Sequence, residues 1–315
     1  MSPVLLFDPA GKPASDADVE WKRLRRLGVG ASEVGVLTGT AKFGSKYQLY
    51  CDKLGLLPDR EQTERMSMGK RMERTIMECL VSDESFQEEY GCSDAGGPLD
   101  WQPCQRLYSC EAHPLVLATP DALVDFGQEH LMVECKNTRW DEAWADGPPA
   151  YVIDQVQQQM LVMDKGECIV AWLLHGDTFK WVTVKADPQR QALIVRSIED
   201  FWTHHILQEI PPQVTDADTQ ALKDRYQKAD LDPVALPGEF IALDERKAIL
   251  ERQVKDAERE IEEIRNQFRA AIGNSEAGML PNGVVYRASV VVKKEFTVKA
   301  TSYKELRRVA PKENK

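Results

Sequence analysis

The period of the apolar positions changes several times along this chain, and each change marks an element. Short apolar runs at 115–119, 122–126 and 131–136 have the length and β-branched content of strands. A Thr-Pro-Asp turn separates the first two, and a polar turn at 127–130 separates the last two. Runs at 168–174 and 179–184 flank His175-Gly176-Asp177, which predicts a hairpin. Helical spacing covers 18–26, 46–54, 66–89, 151–163 and 188–210, the last ended by Pro211-Pro212. In 66–89 the apolar line is Met68, Met72, Ile76, Leu80 and Val81. The order helix, three strands, helix, two strands, helix predicts an α/β sandwich.

The pattern changes after Pro212. A polar helix is expected over 214–229, then a proline-containing link at 233–238. From Leu250 the apolar positions step four and three, through Val254, Ala257, Ile261, Ile264, Phe268 and Ala271. This is a heptad seam. It fits a helical hairpin, a self-association element or packing within one chain. A β-rich stretch at 284–292 follows, and residues 283–315 carry nine Lys/Arg against three Glu. The expected division is a core at 1–212 and an extension at 213–315.

With 315 residues and 43% apolar content, the chain can bury a substantial core. No apolar run is long enough to span a bilayer, and the first residues lack a secretory pattern. Seven scattered cysteines without a C-x-x-C pair argue against a disulfide framework or a thiolate metal cluster. The expected location is a reducing cytoplasm. A net charge of −11 disfavours a protein that coats nucleic acid through a broad basic face. It leaves room for a local basic groove or a bound metal.

The chemistry centres on Asp121 and on Glu134-Cys135-Lys136. In a strand Glu134 and Lys136 share one face, while Leu131, Val133 and Cys135 turn to the other. Two carboxylates from adjacent strands form a hard-oxygen site suited to Mg²⁺, and a lysine beside them can act on a water or on phosphate charge. Charged residues two apart on a strand are more often simply its solvated face. Here Glu134 interrupts an apolar strand, where an unpaired charge would be costly.

Further blocks follow in order: Arg26-Leu27-Gly28-Val29-Gly30-Ala31-Ser32-Glu33-Val34, Met68-Gly69-Lys70-Arg71-Met72-Glu73, Thr119-Pro120-Asp121, Glu134-Cys135-Lys136, and Tyr151 with Gln155-Val156-Gln157. Phe201-Trp202 ahead of Pro211-Pro212 closes the set. Over roughly residues 26–212 the chain resembles the lambda exonuclease / YqaJ-like viral recombinase group of the PD-(D/E)xK nucleases. The resemblance implies a restriction-endonuclease-like fold, a mixed central sheet flanked by helices. It also implies a Mg²⁺-dependent exonuclease, with Mn²⁺ as a substitute, that resects linear double-stranded DNA 5′ to 3′ and leaves 3′ single strands for annealing. Expected partners are DNA ends, further copies of the chain in a ring-shaped trimer, and a single-strand annealing protein.

The resemblance also implies residue roles. Asp121 and Glu134 would ligate the metal with the backbone carbonyl of Cys135, and Glu73 would add an acid from its helix. Lys136 would act on the attacking water, and Gln155 and Gln157 would lie near the scissile bond. Arg26, Ser32 and Thr119 would hold a terminal 5′-phosphate. Several have a plainer alternative: a surface ion pair for Glu73, a helix cap for Ser32 and solvation for some of the glutamines. Trp140 and Trp144 could stack on a DNA base, with packing the better reading. Arg23 and Arg25 are neighbours of Arg26 that could take its place. Two other functions stay open: an endonuclease of the same fold, and a non-catalytic protein that binds DNA ends.

Overall fold

The computed structural model describes residues 2–59, 63–91, 98–126, 129–139, 141–226 and 233–288. The chain divides into two compact units, Met1–Gln227 and Lys228–Lys315.

The first unit opens with β1 (Pro3–Phe7), α1 (Ala14–Arg25), β2 (Val29–Gly30), α2 (Val34–Thr38) and α3 (Lys46–Lys53). It continues through α4 (Glu64–Ser82), α5 (Glu84–Tyr90), β3 (Trp101–Pro103), β4 (Leu107–Cys110) and β5 (His113–Ala118). Then come β6 (Ala122–Phe126), β7 (Glu129–Thr138), α6 (Asp141–Trp144) and α7 (Ala150–Met163). It ends with β8 (Glu167–Leu174), β9 (Thr178–Lys185), α8 (Pro188–Phe201) and α9 (Thr219–Arg225).

A five-stranded sheet runs β3-β6-β7-β8-β9. Its strands pair antiparallel except β7 with β8, which are parallel and joined through α7. The mixed sheet flanked by helices agrees with the expected fold class. Leu131, Val133 and Cys135 of β7 pack with Ile76, Met77 and Leu80 of α4. On the other face Met132 packs with Val152, Val156 and Met160 of α7. Burial on both faces explains why the strand reads as a near-continuous apolar run.

A second sheet, ordered β1-β4-β5-β2, was not expected from the pattern. Residues 3–7 read as an opening segment, yet Pro3 to Leu5 pair with Cys110 to Tyr108. Gly28 is required where the chain enters this sheet: a Cβ there would stand 2.5 Å from the carbonyl oxygen of Leu115.

Two expected elements differ. The helix expected over 66–89 is broken at Asp83, whose carboxylate accepts from the Phe86 amide at 3.0 Å and from the Trp181 indole at 3.1 Å. An aspartate that caps a new helix ends the old one. The core also continues past Pro212. Ala221 lies in its main apolar cluster, and buried Asp218 accepts from the Thr215 amide at 2.6 Å and from the Ser45 hydroxyl. The polar helix is accordingly the short α9, packed on the first unit, and the boundary moves from 212 to the neighbourhood of 227.

The second unit holds α10 (Phe240–Ile272) and the hairpin β10 (Ala277–Met279) with β11 (Val285–Arg287). Phe268 stacks on Tyr286 with ring centres 4.2 Å apart. Residues 289–315, which include the last four residues of the β-rich stretch and most of the basic tail, lie outside the described residues, as does Trp140. Among the described residues no helix is long and apolar enough to cross a membrane.

Helix α7 is buried nearly all round, so its polar side chains need partners inside the protein. Asp154, fully buried, accepts from Thr38 at 2.6 Å, from Thr40 at 2.7 Å and from the Arg190 guanidinium. Asp154→Ala removes the only charged group in this set able to answer Arg190 and the acceptor that the Thr38 and Thr40 hydroxyls share. It should cost about 3 kcal/mol by denaturant unfolding; a loss below about 1 kcal/mol would contradict this role.

Candidate active site

Asp121 immediately precedes β6, and its Oδ2 accepts the Cys135 amide at 2.8 Å. This bond ties the start of one strand to the middle of the next, so the Asp121 carboxylate stands beside Glu134 and Lys136. Glu134 is 1% exposed. Its Oε1 accepts from the Lys136 ammonium and from Gln155 Nε2, and its Oε2 accepts from Gln159 Nε2 at 2.7 Å. Lys136 also donates to Gln155 Oε1 at 3.1 Å. Gln155 and Gln159 are one helical turn apart, so α7 presents both to β7.

These residues line a cavity of about 440 Å³ together with Glu73, Lys70, Gly69 and Met66 of α4, Thr119, Ser32, Arg25 and Trp21. Burial raises the Asp121 carboxyl well above the carboxylate range, and the charges of Glu134 and Glu73 push the same way against Lys136. Glu73 is raised by burial and Glu134, partly offset by Lys70. Burial alone would lower Lys136, but Glu134 and Asp121 hold it above its ordinary value. The thiols of Cys135 and Cys168 are both pushed well up by burial, which leaves them poor nucleophiles.

The donor set fits a small hard cation. Crowded carboxylates raise one another's affinity for a proton, and a divalent ion relieves the same repulsion. Gln159 Oε1 is also buried without a hydrogen-bond partner beside these acids, a position a water on such an ion could satisfy. Among the described residues no group of three or more His, Cys, Asp and Glu could hold a metal ion by itself. Two carboxylates completed by backbone, water and substrate oxygens remain a suitable set for Mg²⁺. Glu73, expected as a third ligand, lines the same cavity, where its charge raises the Asp121 carboxyl.

The comparisons with known proteins agree with the ordered blocks. Residues 20–166 match the family model of the YqaJ-like viral recombinase domain. This segment is similar to a YqaJ-like viral recombinase domain. Over 281 residues the chain is 24% identical to the uncharacterized protein YqaJ of Bacillus subtilis (strain 168), covering 84% of this chain and 81% of the relative. An alkaline exonuclease of Laribacter hongkongensis aligns at 20% identity and TM-score 0.45, over 61% of this chain and 94% of its own. A phage-related exonuclease of Haemophilus somnus 129PT aligns at 12% identity and TM-score 0.41, over 60% and 99%.

Within the matched segment two expected residues are replaced by neighbours. Arg26 ion-pairs with Asp59 at 2.6 Å and is not among the residues lining the cavity. Arg25 lines it instead, donating to the Ser32 hydroxyl at 2.9 Å and lying over the Trp21 ring. Consecutive residues at a helix end point about 100° apart, so one position decides which arginine faces inward. Gln157 is likewise turned away. It donates to the Lys185 carbonyl at 2.7 Å and accepts from the Asp187 amide at 2.8 Å, fastening β9 to α8. Gln159, which the pattern did not single out, takes the place beside Glu134. All four glutamines are buried rather than solvated, and Gln158 donates to the carbonyls of Val29 and Leu117 at 2.7 and 2.8 Å. Trp144 packs against Trp172, ring centres 5.2 Å apart, in line with a packing role.

Arg25 is held by a second buried network. Glu33 pairs with Arg25 at 3.0 Å and with the fully buried Lys53 ammonium at 2.7 Å, and it accepts the Gly30 amide at 2.7 Å. Burial alone would raise the Glu33 carboxyl, but Arg25, Lys53 and the Gly30 amide together hold it below 4.5. A depressed carboxyl stabilises the fold fully above its unfolded value and loses that contribution as pH falls through its folded one. Glu33→Gln should therefore cost about 3 kcal/mol at neutral pH, because the buried Lys53 loses its nearer counter-ion and keeps only Asp52 at 3.9 Å. The difference from the parent should shrink as pH falls below 4.5. A pH-independent difference in denaturant midpoint would contradict this.

Proposed function

We propose that this protein is a metal-dependent deoxyribonuclease that resects linear duplex DNA from its ends. One observation carries the reading: Asp121, Glu134 and Lys136 meet Gln155 and Gln159 at the wall of one cavity, whose rim carries Arg25 and Ser32. Hydrolysis of a phosphodiester needs a polarised phosphoryl oxygen, an oriented water and a protonated leaving oxygen. Asp121 and Glu134 would hold Mg²⁺, which polarises the phosphoryl oxygen and lowers the pKa of water when bound.

The side chains supply the rest. Lys136 reaches the cavity from the same strand face as Glu134 and offers its ammonium to the water or to phosphate charge. Gln155 fixes that ammonium and Glu134 relative to one another. Arg25, planar and permanently charged, with the Ser32 hydroxyl 2.9 Å away, makes a grip for a terminal phosphate. Such a grip supports preference for a 5′-phosphorylated end, and the match to a viral recombinase domain supports DNA as the substrate and strand-annealing recombination as the setting.

Linear duplex carrying 5′-phosphates should be degraded in Mg²⁺, while covalently closed circles persist. Asp121→Ala and Lys136→Ala should lower turnover by about a thousandfold or more with the fold intact by circular dichroism. Equal cutting of closed circles would replace this reading with an endonuclease. Binding of ends without nucleotide release in Mg²⁺ or Mn²⁺ would replace it with a scaffold.

The two arginines separate by substitution. Arg25→Ala should raise KM for 5′-phosphorylated ends by about tenfold or more and reduce their advantage over 5′-hydroxyl ends. Arg26→Ala should leave that preference unchanged. The reverse pattern would restore Arg26 to the pocket.

A further inference from the structure

Helix α10 is 33 residues long, and none of its side chains is buried. Its apolar stripe is nonetheless regular. Leu250, Val254, Ile261 and Ile264 are 44–57% exposed along one face. A soluble helix keeps such a stripe when something covers it. At its C-terminal end the stripe is already covered, where Phe268 stacks on Tyr286 of the following hairpin.

We infer that α10 pairs with α10 of a second copy of this chain, as a parallel two-stranded coiled coil running from Leu243 to Ile264. The heptad places Val254 and Ile261 at a and Leu243, Leu250 and Ile264 at d. Branched residues at a with leucine at d favour two parallel strands. Lys247 is the charged residue at an a position, ion-paired with Glu251 at 2.5 Å on its own helix. A single polar a residue costs stability and selects register and strand number.

Charge decides the orientation. In a parallel pair each g residue faces the e residue five positions on in the other helix. That sets Arg246 against a second Glu251, and Glu260 against a second Arg265. In an antiparallel pair e edges meet e edges, and here that edge carries Asp244, Glu251, Glu258 and Arg265. Aligned over the same span, Glu251 would face a second Glu258, a like-charge contact that the parallel pair lacks.

The test uses the full chain without DNA or metal, so its outcome is independent of the nuclease reading. Ala257→Cys places a thiol at a d position, which in a parallel pair faces its own copy. Mild oxidation should produce a disulfide-linked dimer on a non-reducing gel, absent from the parent chain and from Arg252→Cys on the outer face. Arg246→Glu should weaken self-association by about tenfold in sedimentation, and adding Glu251→Arg should restore it. Cross-linking by Ala257→Cys no greater than in the parent chain or in Arg252→Cys overturns the proposal. So does a charge swap that fails to restore association.

Discussion

A carboxylate buried in the middle of a sheet must be answered by charge and hydrogen bonds, and Glu134 imposes that demand on everything around it. It is 1% exposed on a strand whose other residues serve two apolar cores. Lys136 comes with the strand, two residues on. The remaining bonds come from Gln155 and Gln159, so α7 must lie across β7 in one rotational setting. The same setting sends Gln158 to the carbonyls of β2 and β5 and Gln157 to the β9–α8 junction. A helix buried all round is thus oriented by its polar residues, because each of them has a single place where it can be satisfied.

Those bonds leave the negative charge around the cavity only partly answered. Asp121, Glu134 and Glu73 crowd negative charge around a cavity that holds Lys136 and Lys70. Asp121 carries the strain of this arrangement as a carboxyl raised far above its ordinary range. A divalent cation would remove the repulsion while preserving the packing. The acidic overall charge of −11 is compatible with a DNA substrate because the cationic groups are local, with Arg25 set in the cavity wall by Glu33 and, behind it, the buried Lys53.

Much of this was legible in the order of residues. The three strands around Asp121 and Glu134, the β8–β9 hairpin and the crossover helix follow from apolar period and turn chemistry, which are local properties. The carboxylates and Lys136 were legible because a charge that interrupts an apolar strand needs a reason. The details that escaped are set by rotation or by distant pairing. Arg25 and Arg26 differ by one step around a helix end, and Gln157 and Gln159 by two steps around a helix that is apolar and polar on every side. Sequence spacing carries a phase only where one face is solvated, and α7 has no such face. A sharper signal was present in the i, i+4 pair Gln155 and Gln159, the spacing that puts two side chains on one line. Strand β1 was missed because its pairing with β4 is contributed by residues about a hundred positions away. Asp83 resembled one more polar residue in a charged helix until Phe86 and Trp181 were seen to share its carboxylate.

The chemistry proposed for this cavity requires that Asp121 and Glu134 form a cation site. Mn²⁺ titrated into the DNA-free protein and followed by electron paramagnetic resonance tests that directly. A binding site that is lost in Asp121→Asn and retained in Arg26→Ala is the predicted result. No bound Mn²⁺, or binding that Asp121→Asn leaves unchanged, would contradict it.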